Sequence, residues 1–84
     1  MSGSVLLFGR LRDAFGASSV SLPEGASTAA LLRVRLAEVY PHLASQIIAK
    51  SVRIAVNKIL VVDEEAARIA ASDEIALLPP LSGG

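Results

Sequence analysis

The sequence predicts an α+β fold in which a mixed five-stranded sheet packs on one main helix. Three observations predict it. Apolar runs near the two ends of the chain, Val5–Phe8 and Ile75–Leu78, read as strands buried on both faces, the pattern of parallel neighbours at the centre of a sheet. Only the segment after Ser27-Thr28 carries helical periodicity long enough to cover a sheet. Ser18–Leu22 and Val52–Asn57 alternate apolar with polar residues, as half-exposed strands do.

The totals set limits. Eighty-four residues are expected to form a single domain spanning 1–84, with a body over about 4–78 and a tail over 79–84. With 52% hydrophobic and 19% charged residues, the chain has the composition of a folded protein. Eight basic and eight acidic residues cancel, so nothing favours nucleic acid or an anionic membrane as a partner. The absence of cysteine excludes disulfides, thiolate metal sites and a cysteine nucleophile. The single histidine, His42, excludes a two-histidine metal site and reads as a loop residue; no metal site is expected. Met-Ser-Gly-Ser at the start has no basic character, and Val5–Phe8 is too short to target or span a membrane, so a cytoplasmic location is expected. Few polar groups could converge on a substrate. The chain reads as acted upon rather than catalytic.

In order, Val5–Phe8 is the first strand, Gly9–Phe15 a turn or short helix stopped by Gly16, and Ser18–Leu22 a second strand pairing antiparallel with the first. Pro23-Glu24-Gly25 is a turn, and Ser27 or Thr28 caps the main helix. In that helix Ala29, Leu32, Leu36 and Val39 share one face, while Arg33, Ala37 and Glu38 lie toward the other; Pro41 ends it. His42–Lys50 is a short helix packing Leu43, Ile47 and Ile48, or an ordered loop. Val52–Asn57 and Ile59–Val62 form a hairpin on an Asn57-Lys58 turn. Asp63–Ala71 has helical composition with acids at its favourable end, and Ser72-Asp73 turns the chain into the last strand, Glu74–Leu78.

Beyond that strand come Pro79, Pro80, Leu81, Ser82, Gly83 and Gly84. Proline cannot extend a ladder and favours an extended exit. Six residues reach about 20 Å from the body at roughly 3.3 Å each. Gly83 and Gly84 make the tip thin enough to thread a narrow channel, which suits a terminal carboxylate that another protein's active site works on. A frayed terminus is the plain alternative.

Three stretches carry a resemblance: Val-Leu-Leu-Phe-Gly-Arg-Leu-Arg-Asp-Ala-Phe-Gly, Ile-Ala-Val-Asn-Lys-Ile-Leu-Val, and Asp-Glu-Ile-Ala-Leu-Leu-Pro-Pro-Leu-Ser-Gly-Gly. Over nearly its whole length the chain resembles the MoaD family, the small subunits of molybdopterin synthase, which are ubiquitin-like β-grasp sulfur carriers. The resemblance implies a β-grasp fold with a flexible Gly-Gly tail. It implies that an ATP-dependent, MoeB-like activating enzyme adenylates Gly84, and that a sulfur donor converts the adenylate to a thiocarboxylate. It implies a MoaE-like large subunit, in a heterotetramer, that takes in Pro79, Pro80, Leu81, Ser82 and Gly83 and receives the sulfur of Gly84 for cyclic pyranopterin monophosphate. No cofactor is expected on the chain itself; the ATP is the activating enzyme's.

The resemblance also implies a hydrophobic partner-binding face at Phe8, Leu60 and Leu78; Phe8 and Leu60 suit the core equally well. Arg10 and Arg12 read as solvated surface, or as partners for acids on another protein. The chain departs from the family at Ser72, where glycine is usual, and at Asp63–Ala71, where a shorter polar loop is usual. The alternatives are a carrier for thiamine or tRNA thiolation, a ubiquitin-like modifier joined through Gly84 to lysines, and an inert interaction domain.

Overall fold

A computed structural model describes residues 3–80. Strand β1 (Ser4–Leu7) is followed by helix α1 (Gly9–Phe15), strand β2 (Ser19–Ser21) and helix α2 (Ala29–Val39). A 3₁₀ turn at Pro41–Leu43 leads into the four-residue helix α3 (Ala44–Ile47), then β3 (Arg53–Val56), β4 (Ile59–Leu60) and β5 (Ile75–Leu78). The five strands form one mixed sheet in the order β2-β1-β5-β3-β4. β1 and β5 run parallel at its centre, with Leu7 beside Leu77; every other pairing is antiparallel.

Register explains the two faces. Val5, Leu7, Ile54, Ile75 and Leu77 are buried on the face covered by α2, whose Ala29, Leu32 and Leu36 meet them. Each fully buried leucine stabilises the fold by about 1.5–3 kcal/mol relative to exposure. Leu11 anchors α1 in the same core, and Leu43 and Ile47 anchor the chain after α2. Ile48 is exposed.

Several expectations change. The first strand ends at Leu7; Phe8 keeps extended geometry (φ −127°, ψ 157°) but caps α1 and is 46% exposed. Val39, the last residue of α2, is exposed rather than on the buried face. β4 stops at Leu60, leaving Val61 buried and Val62 exposed. The largest correction concerns Arg33, which is buried on α2 rather than solvated. Its guanidinium spends every N–H: Nε and Nη2 donate to the two Glu64 oxygens at 2.7 Å, Nη1 to the Ile47 and Ala49 carbonyls at 2.7 and 3.0 Å, and Nη2 also to the Val52 carbonyl.

Asp63–Ala71 is not a helix. It is a run of turns with one isolated bridge, Thr28 to Arg68. Its backbone serves α2 instead: Ala29 N–H donates to the Ala67 carbonyl and Ala30 N–H to that of Glu64, while Leu31 N–H donates to Thr28 Oγ1. The first three free donors of α2 are thereby satisfied, two of them by carbonyls that a helix over 63–71 would have used internally. Asn57 and Lys58 adopt positive φ (53° and 71°), as the sequence predicts for a tight hairpin. Asn57 also ties two turns together, donating Nδ2 to Asp73 Oδ1 at 3.1 Å and accepting the Glu74 N–H at 2.9 Å.

Candidate functional site: the tail root and the open sheet face

The candidate site grows from the end of β5. Leu77 is held between Leu7 of β1 and Ile54 of β3, so the last strand is pinned on both sides before the chain leaves the sheet. Leu78, opposite Arg53, is the last paired residue. Pro79 then packs half-buried against Gly9, where α1 begins. Gly9 has φ +55°, and a Cβ placed there would lie 2.9 Å from Pro79 Cγ. Glycine is required at that position twice over, by conformation and by contact. Pro80 is exposed. The expected tail residues Leu81, Ser82 and Gly83, and the expected acyl site Gly84, lie outside the described residues.

The second part of the site is the sheet face away from α2. Because Leu7 and Leu77 point inward, alternation sends Phe8 and Leu78 outward. A cross-strand row on the same outer face runs Leu6, Ala76, Ala55, Leu60 through three successive pairings. Phe8, Leu60 and Leu78 thus share one face, at 46% and 47% exposure for the first two and half-burial for Leu78. Neither Phe8 nor Leu60 is a core residue. Between them Ala55 and Ala76, both buried, form a low floor. Sequence reading missed this floor. The available signal was alanine where the outer face of a half-exposed strand ordinarily carries a polar residue.

The diproline stands as a ridge between two shallow hollows. One is lined by Arg10, Leu11, Ser51, Val52 and the two prolines. The other is lined by Lys50, Arg53, Leu60, Leu78 and the same prolines. Arg53 Nη2 donates to the Val61 carbonyl at 3.2 Å, which holds the side chain against β4. Among the described residues no cluster of His, Cys, Asp or Glu could hold a metal ion, and no helix is long and apolar enough to cross a membrane.

A five-stranded mixed sheet with parallel terminal strands at its centre, gripping one main helix and releasing its C-terminal segment from the middle, is the β-grasp of ubiquitin-like proteins. Residues 5–84 match the ThiS family. The chain is 33% identical over 82 residues to the molybdopterin synthase sulfur carrier subunit of Dictyostelium discoideum, covering 95% of this chain and 93% of that one. The crystal structure of small archaeal modifier protein 1 from Haloferax volcanii superposes with a TM-score of 0.78 at 26% identity, covering all of both chains. The complex of subunits 1 and 2 of the molybdopterin-converting factor of Helicobacter pylori gives a TM-score of 0.61 at 21% identity, with full coverage of both chains, and bears on the fold alone. The chain belongs to the ThiS family of ubiquitin-like sulfur carriers.

Proposed function

We propose that this chain is the sulfur-donating small subunit of a molybdopterin synthase, carrying sulfur as a thiocarboxylate on Gly84. The observation that carries this reading is the diproline exit from a doubly pinned central strand beside an apolar face, in a chain one-third identical to a molybdopterin synthase sulfur carrier. The body supplies a rigid grip. The tail supplies reach.

The chemistry follows from the carboxylate. As it stands it is a poor electrophile, so an activating enzyme joins it to the α-phosphate of ATP and releases pyrophosphate. A hydrosulfide-equivalent nucleophile then attacks the acyl carbon, AMP leaves, and the terminal C–O bond has become C–S. Gly83 and Gly84 leave that carbon open to attack and thin enough for a partner's channel. The large synthase subunit receives the tail, with Phe8, Leu60 and Leu78 seated against it; the sulfur bonds to cyclic pyranopterin monophosphate, and water then cleaves the acyl C–S bond, restoring the Gly84 carboxylate. Neither metal nor cofactor is needed on the chain, and ATP acts at the activating enzyme.

The test is reconstitution. Thiocarboxylated chain, the large subunit from the same cells and cyclic pyranopterin monophosphate should together give molybdopterin, and the chain lacking Gly84 should give none. Activity retained without Gly84 would reject the proposal. The 26% identity to a small archaeal modifier over the full chain supports a second reading, in which the adenylated Gly84 is passed to lysines of other proteins. Isopeptide-linked conjugates in a cell extract are its signature.

A further inference from the structure

Basic residues gather around the root of the tail. β1 and β5 are parallel, so both finish at the end of the sheet where the tail leaves. At that end stand Arg10 and Arg12 on α1, just after β1, and Lys50 and Arg53, which flank the diproline with Leu78. The acids there are Asp13 on α1 and Asp63 and Glu64, which follow β4 where it runs toward the same end; Glu64 is paired with Arg33 and lines a further hollow with Lys50. Acids and cations mix at the other end. Asp73 and Glu74 precede β5, bonded to the Asn57 turn, and Glu24 follows β2, whose Ser21 lies opposite Ser4 at the start of β1. Lys58 and Arg35, the latter beside Gly25, are cations on that side.

Two details make the cations around the diproline more than a scatter of surface charge. No described residue lining either hollow beside the prolines is acidic. Arg10 and Lys50 lie one in each hollow and form no ion pair among the described residues, in contrast to Arg33 and Arg35, which do. The cations therefore bracket the root of the tail from both sides. Their neighbours Phe8, Leu60 and Leu78 are apolar, and an apolar centre inside a charged rim is the anatomy of a protein interface. A nucleic acid would need a longer cationic track and would gain nothing from exposed Phe8 and Leu60.

We propose that Arg10, Lys50 and Arg53 form a cationic rim around the tail root that seats on an acidic protein surface bordering the channel into which the tail is inserted. This rests on the sulfur-carrier reading, because that reading supplies the channel. The rim acts before the tail is threaded: opposite charge raises the rate of encounter and orients the tail end toward the partner, while apolar contact and tail insertion set the lifetime of the complex.

The experiment measures association and dissociation rates of the full chain with the molybdopterin synthase large subunit from the same cells, at about 20 mM and about 300 mM salt. The variants are Arg10→Glu/Lys50→Glu and the milder Arg10→Gln/Lys50→Gln, whose side chains make no hydrogen bond among the described residues. Urea unfolding confirms that each remains folded. The native chain should lose about tenfold in association rate at the higher salt, the reversed variant should lose about as much at low salt, and dissociation should hardly move. The neutral variant should fall between. A native association rate indifferent to salt, or variants associating as fast as the native chain, would overturn the rim while leaving the sulfur-carrier reading standing. A native chain that fails to bind the large subunit at either salt would overturn that reading and the rim with it.

Discussion

The guanidinium of Arg33 and the carboxylate of Glu64, 31 residues apart in sequence, meet edge to edge through two hydrogen bonds of 2.7 Å. The pair links α2 to the loop after β4. Three further donations, to the carbonyls of Ile47, Ala49 and Val52, link it to the segment between α3 and β3. That segment walls both hollows beside the tail root. A side chain within the helix thus sets the shape of a loop at the site.

Replacing Arg33 with Met keeps most of the side-chain volume but leaves three carbonyls and a half-buried carboxylate without their donor. We expect a loss of about 3 kcal/mol in unfolding free energy. Glu64→Gln keeps a neutral acceptor and remains partly solvated, so about 1 kcal/mol is expected. Urea midpoints measure both. A neutral Arg33→Met would mean that water serves those carbonyls as well as the guanidinium does.

Why this node escaped sequence reading is instructive. An arginine one position from Leu32 is ordinarily solvated on a small domain, and nothing local in the sequence indicates a partner at position 64. Asp63–Ala71 was obscured by the same long-range coupling: its acids and alanines favour a helix locally, yet its carbonyls cap the first turn of α2. In contrast, β1, β3, β5, the Asn57-Lys58 turn, the Gly16 stop and the diproline exit were legible. Each depends on local periodicity or on the backbone limits of Gly, Asn and Pro. The outer sheet face was legible in part, through Phe8, Leu60 and Leu78, but its alanine floor requires the register of three strand pairings.

Gly9→Ala tests the contact under the tail. The substitution forces a side chain into φ +55° and pushes against Pro79. About 1–2 kcal/mol of stability should be lost, and the tail root should shift, lowering affinity for the large subunit. Calorimetric binding alongside urea unfolding separates the two effects. Native-like affinity in a destabilised but folded variant would show that Pro79 does not set the direction of exit.

Asn57 offers a paired comparison. Asn57→Gly keeps the positive φ but loses the bonds to Asp73 and Glu74, whereas Asn57→Ala loses both advantages. We expect costs of about 1 and about 2 kcal/mol respectively, read from thermal or urea unfolding. Equal costs would assign the whole effect to the side-chain bonds.

Leu60→Lys and Leu78→Lys probe the open face. Leu60 is 47% exposed, so its replacement should leave folding unchanged. In contact with the large subunit, either lysine would be a desolvated charge without a partner, and a loss of several kcal/mol of binding, about 2–4, is expected. Unchanged affinity for both variants would place the interface elsewhere.

The proposed function requires that sulfur be acquired at Gly84. The decisive measurement is the intact mass of the full chain after incubation with its activating enzyme, ATP and a sulfide source, followed by fragmentation. Exchange of one terminal oxygen for one sulfur, confined to Gly84 and dependent on ATP, is the predicted result. A chain that is adenylated yet never gains sulfur, and is recovered instead with Gly84 joined to lysines of other proteins, would contradict it.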